Sequence, residues 1–228
     1  MSDEKRSDRS VFVWDLPTRL FHWLLVALVA VTWASGEADG PLFVVHKLAG
    51  YGVVVAILFR VIWGLVGSYH SRFRDFIHPW PVVRDYARGL LALRPKPTLG
   101  HNPLGGWMVV LLLAALLGVV GTGLFASEDG VGGPLAELIS STVAHALSEL
   151  HEGLFNVLLV LVGIHVAGVL VDSVLTGHNL VRSMISGRKQ VTAAELDAAT
   201  TSRRPAPYWI AAVALGAATG VTWLLVAS

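Results

Sequence analysis

The chain has 228 residues, of which 54% are hydrophobic, and its mean hydropathy is +0.63. These values place it among integral membrane proteins, and a formal net charge of +1 gives no reason to expect a nucleic-acid partner. The lack of cysteine excludes disulfides, iron–sulfur clusters, covalently attached haem and thiol catalysis within this chain.

Five apolar stretches are long enough to cross a bilayer as helices. We predict spanning helices 1 to 5 over residues 17–35, 44–67, 105–126, 148–176 and 207–227. The fold class is therefore all-α integral membrane, with a four-helix bundle and a fifth C-terminal transmembrane helix. Its predicted parts are a solvated tail at 1–13, the four-helix core at 14–190, and a linker with the fifth helix at 191–228. The segment VRDYARGLLAL, between helices 2 and 3, is expected to form an amphipathic helix at the membrane interface.

The positions of Lys and Arg predict the orientation of the chain. Fifteen of the seventeen lie in the N-terminal segment or in the connections that follow helices 2 and 4. By the positive-inside rule, the N-terminus is cytoplasmic and the C-terminus periplasmic, in a bacterial inner membrane. The outer loops are acidic, with Glu37, Asp39, Glu128, Asp129 and Glu137.

Histidines occupy positions where a spanning helix ordinarily carries Leu or Val. His151 and His165 are 14 residues apart in helix 4, so they share one face and are separated by roughly 21 Å along the axis. The orientation pairs His46 with His151 at the outer level and His22 with His165 at the inner level. Neutral imidazoles that face each other across a bundle can bind a haem iron from both sides. Alternatively, these histidines form hydrogen bonds between packed helices and bind no cofactor. His145, expected in the outer loop, is a second candidate for the outer ligand.

Three cations and one further histidine extend the candidate site. Arg60 lies in apolar surroundings at the inner level, where haem propionates would supply its counter-charge. Arg19 could serve the same inner haem and Lys47 the outer one, although both could instead extend to the membrane interface. His101, which precedes helix 3, is a candidate hydrogen-bond partner for a quinone head group.

Several motifs resemble the prokaryotic cytochrome b-561 and nickel-iron hydrogenase cytochrome b family. They are VWDLPTRLFHW, HKLAG, FRVIWGLVG, GHNPLGGWMVV and TGLF, together with the histidine pair of helix 4. The resemblance covers about residues 11–190. It implies two b-type haems with histidine ligands from helices 1, 2 and 4, at His22, His46, His151 and His165. The fifth helix resembles that of longer members, which act as membrane subunits for a partner.

We therefore expect a di-haem electron-transfer protein that connects a periplasmic redox partner with the quinone pool. The partner is either a c-type cytochrome or a hydrogenase-like oxidoreductase. One alternative is an enzyme, a superoxide:quinone oxidoreductase, which would need positive charge at its outer surface. A second is a non-redox metal carrier or membrane anchor. Membrane lipid surrounds the protein in each case, and the sequence leaves open whether two copies form a dimer.

Overall fold

The computed structural model describes residues 9–36, 40–128, 131–192 and 205–227. Its elements, in chain order, are β1 (Arg9–Phe12), α1 (Leu16–Ser35), α2 (Pro41–Val66), α3 (Phe73–Phe76), α4 (Trp80–Leu91), α5 (Pro103–Phe125), β2 (Ser127–Glu128), β3 (Val131–Gly132), α6 (Ser141–Thr176), α7 (Leu180–Ser186), β4 (Arg188–Val191) and α8 (Tyr208–Ala227). Of the charges used to orient the chain, seven lie outside the described residues: Lys5, Arg6, Glu37, Asp39, Asp129, Arg203 and Arg204.

Five helices, α1, α2, α5, α6 and α8, are long and apolar enough to cross a membrane. This confirms the all-α membrane fold and the number of predicted spans. Side-chain caps fix where three of them begin, and Asp15 and Asn102 provide two of these caps. Asp15 accepts a hydrogen bond from the Thr18 amide at 2.8 Å, and Asn102 accepts one from the Gly105 amide at 2.6 Å. Each cap satisfies an amide that has no partner inside the helix.

Helix α6 begins seven residues earlier than the predicted helix 4. Ser140 caps it by accepting a hydrogen bond from the Val143 amide. The 36-residue helix is therefore about 54 Å long, well beyond the roughly 30 Å hydrocarbon core of a bilayer. His145 consequently lies on a helix, and its predicted position in a loop is wrong. Hydropathy alone did not show this, because the first two turns of α6 mix polar side chains with alanine and only two larger apolar residues, Val143 and Leu147.

The core lies between the two histidine levels. Helices α2, α5 and α6 contribute its buried centre: Val53, Ile57, Leu116, Val119 and Leu158. Leu25, Leu28 and Val29 of α1 pack against the same cluster. The fifth span, α8, packs on α2 through a second cluster that includes Phe59, Trp63, Ala214 and Ala218. Helices α1, α2, α5 and α6 therefore form one bundle that carries the candidate ligands, and α8 is attached at its side.

A short antiparallel pair of strands closes the bundle at the end where α1 begins and α6 stops. Strand β1 pairs with β4, with Arg9 opposite Val191 and Phe12 opposite Arg188. The amides of Val13 and Trp14 both donate to the Gly187 carbonyl, at 2.9 and 3.1 Å. Residues 9–12, expected within a solvated tail, thus form a strand that is part of the folded structure.

The amphipathic segment between α2 and α5 is helical, as α4. Its Tyr86 hydroxyl donates to the Asp172 carboxylate near the end of α6 at 2.6 Å. Asp172 is only 7% exposed, so this hydrogen bond satisfies a buried acid and joins α4 to the bundle.

Candidate functional site

The outer histidines face each other across the bundle. His46 comes from the second turn of α2 and His151 from the first third of α6, and their ring centres are 6.2 Å apart with the planes inclined at 77°. A metal between two imidazoles, with bonds of about 2 Å and two ring radii, requires roughly 6 Å between ring centres. The spacing of this pair therefore matches two axial ligands of one metal.

Backbone carbonyls orient both outer rings. His46 Nδ1 lies 3.0 Å from the Thr32 carbonyl oxygen, and His151 Nδ1 lies 2.8 Å from that of Val119. A carbonyl can only accept a hydrogen bond, so each ring donates from Nδ1, and the tautomer with a single proton there keeps a lone pair on Nε2. This second hydrogen bond is typical of metal-binding histidines, because it fixes both the tautomer and the ring orientation.

Glycine leaves room for the His151 ring. A methyl group at Gly123 of α5 would lie 2.8 and 2.9 Å from His151 Cε1 and Nδ1, closer than carbon contacts allow. On the other side, Phe43 stacks on His46 with ring centres 5.6 Å apart, and Lys47 Nζ lies 5.8 Å from the Phe43 ring centre. Lys47 thus lies beside the outer pair.

The inner histidines lie near each other and near a third. His22 of α1 interacts electrostatically with His165 of α6, and both interact with His101. His22 Nδ1 is buried without a hydrogen-bond partner, in contrast to the two outer rings. The inner level thus groups the two predicted ligands with the candidate quinone residue, but without the carbonyl contact that orients each outer ring.

Arg60 is buried at this inner level, with 3% of its surface exposed. Its guanidinium lies 4.9 Å from the ring centre of Phe73 and 5.6 Å from that of Phe76, which favours cation–π attraction. Asp15 interacts with it electrostatically, yet no carboxylate of the described residues lies within 4.0 Å of it, and its Nη1 has no hydrogen-bond partner there. A buried donor of this kind requires an acceptor, and a propionate would provide one.

His101 is held between two aromatic rings just before α5. Its ring centre is 4.6 Å from that of Trp14 and 4.6 Å from that of Phe76. Burial lowers the pKa of His101 to about 3, and the positive charge of Arg60 acts in the same direction. The ring is therefore neutral at physiological pH. Its Nδ1 has no hydrogen-bond partner among the described residues, so it is available to a bound molecule.

A buried polar cluster beside the inner site was not predicted from the sequence. Asp15, 2% exposed, accepts hydrogen bonds from Trp63 Nε1 at 3.2 Å and Ser71 Oγ at 3.1 Å. The hydroxyls of Thr18 and Ser71 are 2.7 Å apart. The Asp-Leu-Pro-Thr order at the start of α1 signals a helix cap, but nothing in the sequence indicates that Trp63 and Ser71 share the carboxylate.

Two predicted candidates lie elsewhere. Arg19 contacts the turn at Gly187 and lines a pocket on the outside of the bundle with Leu20 and Trp23. His145 is 59% exposed and lies 4.0 Å from Glu149, whereas His151 meets His46. Across the part of the chain that the structure describes, no group of three or more His, Cys, Asp or Glu side chains is placed to hold a metal ion.

Comparison with known proteins identifies the family. The family model described as prokaryotic cytochrome b561 matches residues 13–187. The chain belongs to the prokaryotic cytochrome b561 family. This cytochrome is therefore a membrane electron-transfer protein, and membership implies a b-type haem. The residues fit that group, since paired imidazoles with free Nε2 atoms are present at the outer level and unpaired buried donors at the inner level.

Similar proteins include several named as probable Ni/Fe-hydrogenase B-type cytochrome subunits. One from Bradyrhizobium diazoefficiens is 26% identical over 221 residues, covering 79% of this chain and 86% of the relative. One from Azotobacter chroococcum is 28% identical over 222 residues, covering 81% and 90%. A protein from Escherichia coli K12, a probable Ni/Fe-hydrogenase 1 subunit, is 32% identical over 130 residues, or 44% of this chain and 54% of the relative. No solved structure matches the chain.

Proposed function

We propose that this cytochrome binds two b-type haems and passes electrons between a periplasmic redox protein and the quinone pool. The observation that carries the proposal is the outer pair, His46 and His151, whose rings have the spacing and tautomers of axial ligands. We assign the inner haem to a second pair, His22 of α1 and His165 of α6, whose rings interact electrostatically. A haem, when bound, supplies one-electron chemistry at each level.

Charged side chains complete both sites in this proposal. Arg60 pairs with a propionate at the inner haem. Its Nη1 has no acceptor among the described residues, and its burial keeps it from water. Lys47 pairs with propionate at the outer haem. Asp15 and its hydrogen-bonded cluster hold a negative charge near Arg60, which limits the net positive charge at the inner level.

The quinone site is proposed beside His101. Its neutral ring and unpartnered Nδ1 suit a hydrogen bond to a carbonyl or hydroxyl of a quinone head group. The aromatic rings of Trp14 and Phe76 exclude water from the same place. The position at the end of the bundle, next to the inner histidines, would let a quinone exchange electrons there.

A hydrogenase is the favoured redox partner, because the relatives above carry that name. We place the partner at the outer end of α6, which is long enough to extend past the membrane, and where Glu137 and Glu149 present negative charge to a basic surface. This placement follows the orientation predicted from Lys and Arg, with the N-terminus cytoplasmic in the bacterial inner membrane. The same acidic groups disfavour superoxide as a substrate, since they repel an anion.

Haem counting in single variants tests the proposal. The purified wild type should give two haems per chain in a pyridine haemochrome assay and a b-type reduced-minus-oxidised spectrum. His46→Leu and His151→Leu should each remove the outer haem and keep the inner one, whereas His145→Leu, the matched control, should keep both. Retention of both haems in the His46 and His151 variants would refute the ligand assignment.

A further inference from the structure

A pocket of about 350 Å³ opens on the outside of the bundle where α1 meets α7. It is lined by Leu16, Arg19, Leu20, Trp23 and Ile185. Four of these side chains are apolar or aromatic, and no other element of the described chain covers them. Leu20 is 62% exposed and Ile185 is 58% exposed. In a membrane, this surface faces lipid.

Arg19 is the only charged residue in the lining. Its Nε is buried and has no hydrogen-bond partner in the described part of the chain, and no carboxylate there lies within 4.0 Å of it. Its Nη1 approaches Gly187, where a β-carbon would lie only 2.8 Å away. The guanidinium therefore lies against the turn at Gly187, and none of the carboxylates that the structure describes pairs with its charge.

The pocket lies at the end of the bundle where α1 begins, a level that we assign to the boundary between the membrane and water. Arg19 is in the first turn of α1, one turn after the Asp15 cap, and Ile185 is on the short helix α7 that follows the last span of the core. Trp23 Nε1 donates to the Met184 carbonyl at 3.4 Å, which holds α7 against α1. Trp and Arg at such a level are typical of contacts with lipid head groups.

We propose that this pocket binds an anionic phospholipid, with the phosphate on Arg19 and one acyl chain along Leu16, Leu20 and Ile185. Because Nε is buried, a phosphate would bond the Nη groups of the guanidinium, and the low polarity of the surroundings strengthens that pair. A zwitterionic lipid presents the same phosphate beside its own cation, which reduces the attraction. The site goes beyond the proposed electron transfer and does not depend on either haem.

Two other ligands fit the pocket less well. A quinone head group is uncharged, so it would leave the guanidinium without an anion. A haem propionate would have to reach a residue whose neighbours, Leu20 and Trp23, face out of the bundle. Both are outcomes of the test below.

The test compares lipid binding to the purified haem-containing protein after delipidation in detergent. The probes are phosphatidylglycerol and phosphatidylcholine with identical acyl chains, and native mass spectrometry counts the bound lipid. We expect the wild type to retain one phosphatidylglycerol about ten-fold more strongly than phosphatidylcholine. Arg19→Gln should remove that preference, and Arg19→Lys should restore part of it. Arg182→Gln, which changes an Arg of α7 outside the lining, should leave it intact.

Equal retention of the two lipids by the wild type would overturn the proposal, and this comparison does not require a stable variant. Unchanged preference in Arg19→Gln would also overturn it. A shift of the haem midpoint potential in Arg19→Gln, without a change in lipid preference, would assign Arg19 to a propionate instead. Displacement of phosphatidylglycerol by a short-chain quinone at equal concentration would assign the pocket to quinone. Haem content is measured in every sample, so failure of the two-haem proposal is seen separately.

Discussion

Substitution of Gly123 by Ala tests the outer site without touching a ligand. The added methyl group would lie 2.8 Å from His151 Cε1 and 2.9 Å from Nδ1, so the ring must retreat by about half an ångström to reach ordinary contact. The retreat strains the 2.8 Å hydrogen bond from Nδ1 to the Val119 carbonyl. Loss of such an orienting contact typically weakens metal binding by about 10- to 100-fold.

Gly121 provides the matched control, because a methyl group there would meet no atom within 4 Å and the residue lies in the same helix. We expect Gly123→Ala to lose the outer haem during dilution and washing, so that its haem count falls from two per chain toward one. Gly121→Ala should keep the wild-type count. The assay is a pyridine haemochrome count together with a redox titration, which shows which of the two midpoints disappears.

The reasoning is refuted if Gly123→Ala keeps both haems through the same washing and titrates like the wild type. Loss of haem in Gly121→Ala as well would trace the defect to the helix rather than to His151. A thermal unfolding curve on each variant separates local haem loss from general instability.

Three further predictions concern stability, each measured as the apparent unfolding temperature in detergent. Burial lowers the pKa of His101 to about 3, so between pH 6.5 and 3 the unfolded chain binds a proton that the folded chain does not. The free energy of unfolding therefore decreases as the pH falls, by up to about 1.4 kcal/mol per pH unit. His101→Gln should reduce this decrease between pH 6.5 and 4.5. Tyr86→Phe removes the 2.6 Å hydrogen bond to Asp172 and should cost about 1.5–3 kcal/mol. Gly187→Ala places a side chain at φ +79° and 2.8 Å from the Trp14 carbonyl, which should cost at least about 1–2 kcal/mol.

Each of these variants has a control: His145→Gln, Tyr208→Phe and Gly220→Ala. The first two are exposed side chains, and a methyl group at Gly220 would meet no atom within 4 Å. A control that lowers the unfolding temperature as much as its partner would contradict the corresponding contact. If the unfolding temperature decreases equally with falling pH in His101→Gln and in the wild type, the burial of His101 does not control stability in acid.

Hydropathy was sufficient to predict the number of spans. Spans are predictable because the hydrocarbon core imposes a minimum apolar length, and His46 could be matched to His151 because depth follows from the rise per residue. The first turns of α6 escaped prediction, since a helix outside the membrane needs no apolar stretch. Only the cap at Ser140 marks that end, and a serine is too common to identify a cap without the structure.

Long-range polar contacts were the other part that the sequence did not show. The carboxylate of Asp15 accepts from Trp63 and Ser71, which are about fifty residues away in the chain. No local pattern links such residues, because the contact is created by the packing of α1 against α2. The tautomers of His46 and His151 were unpredictable for the same reason: the carbonyls that fix them belong to other helices, at Thr32 and Val119.

The pairing of β1 with β4 imposes an order on the biosynthesis of this protein. Arg9 leaves the ribosome near the start of translation, but its partner Val191 is made only after all four helices of the core. At about 5–20 residues per second, the first strand waits on the order of ten seconds or more with its backbone unpaired. Such an edge attracts other extended chains. Strand β1 is thus the part of the nascent chain that can pair incorrectly for the longest time. Its exposure ends when the turn at Gly187 and strand β4 have been synthesised and pair with it.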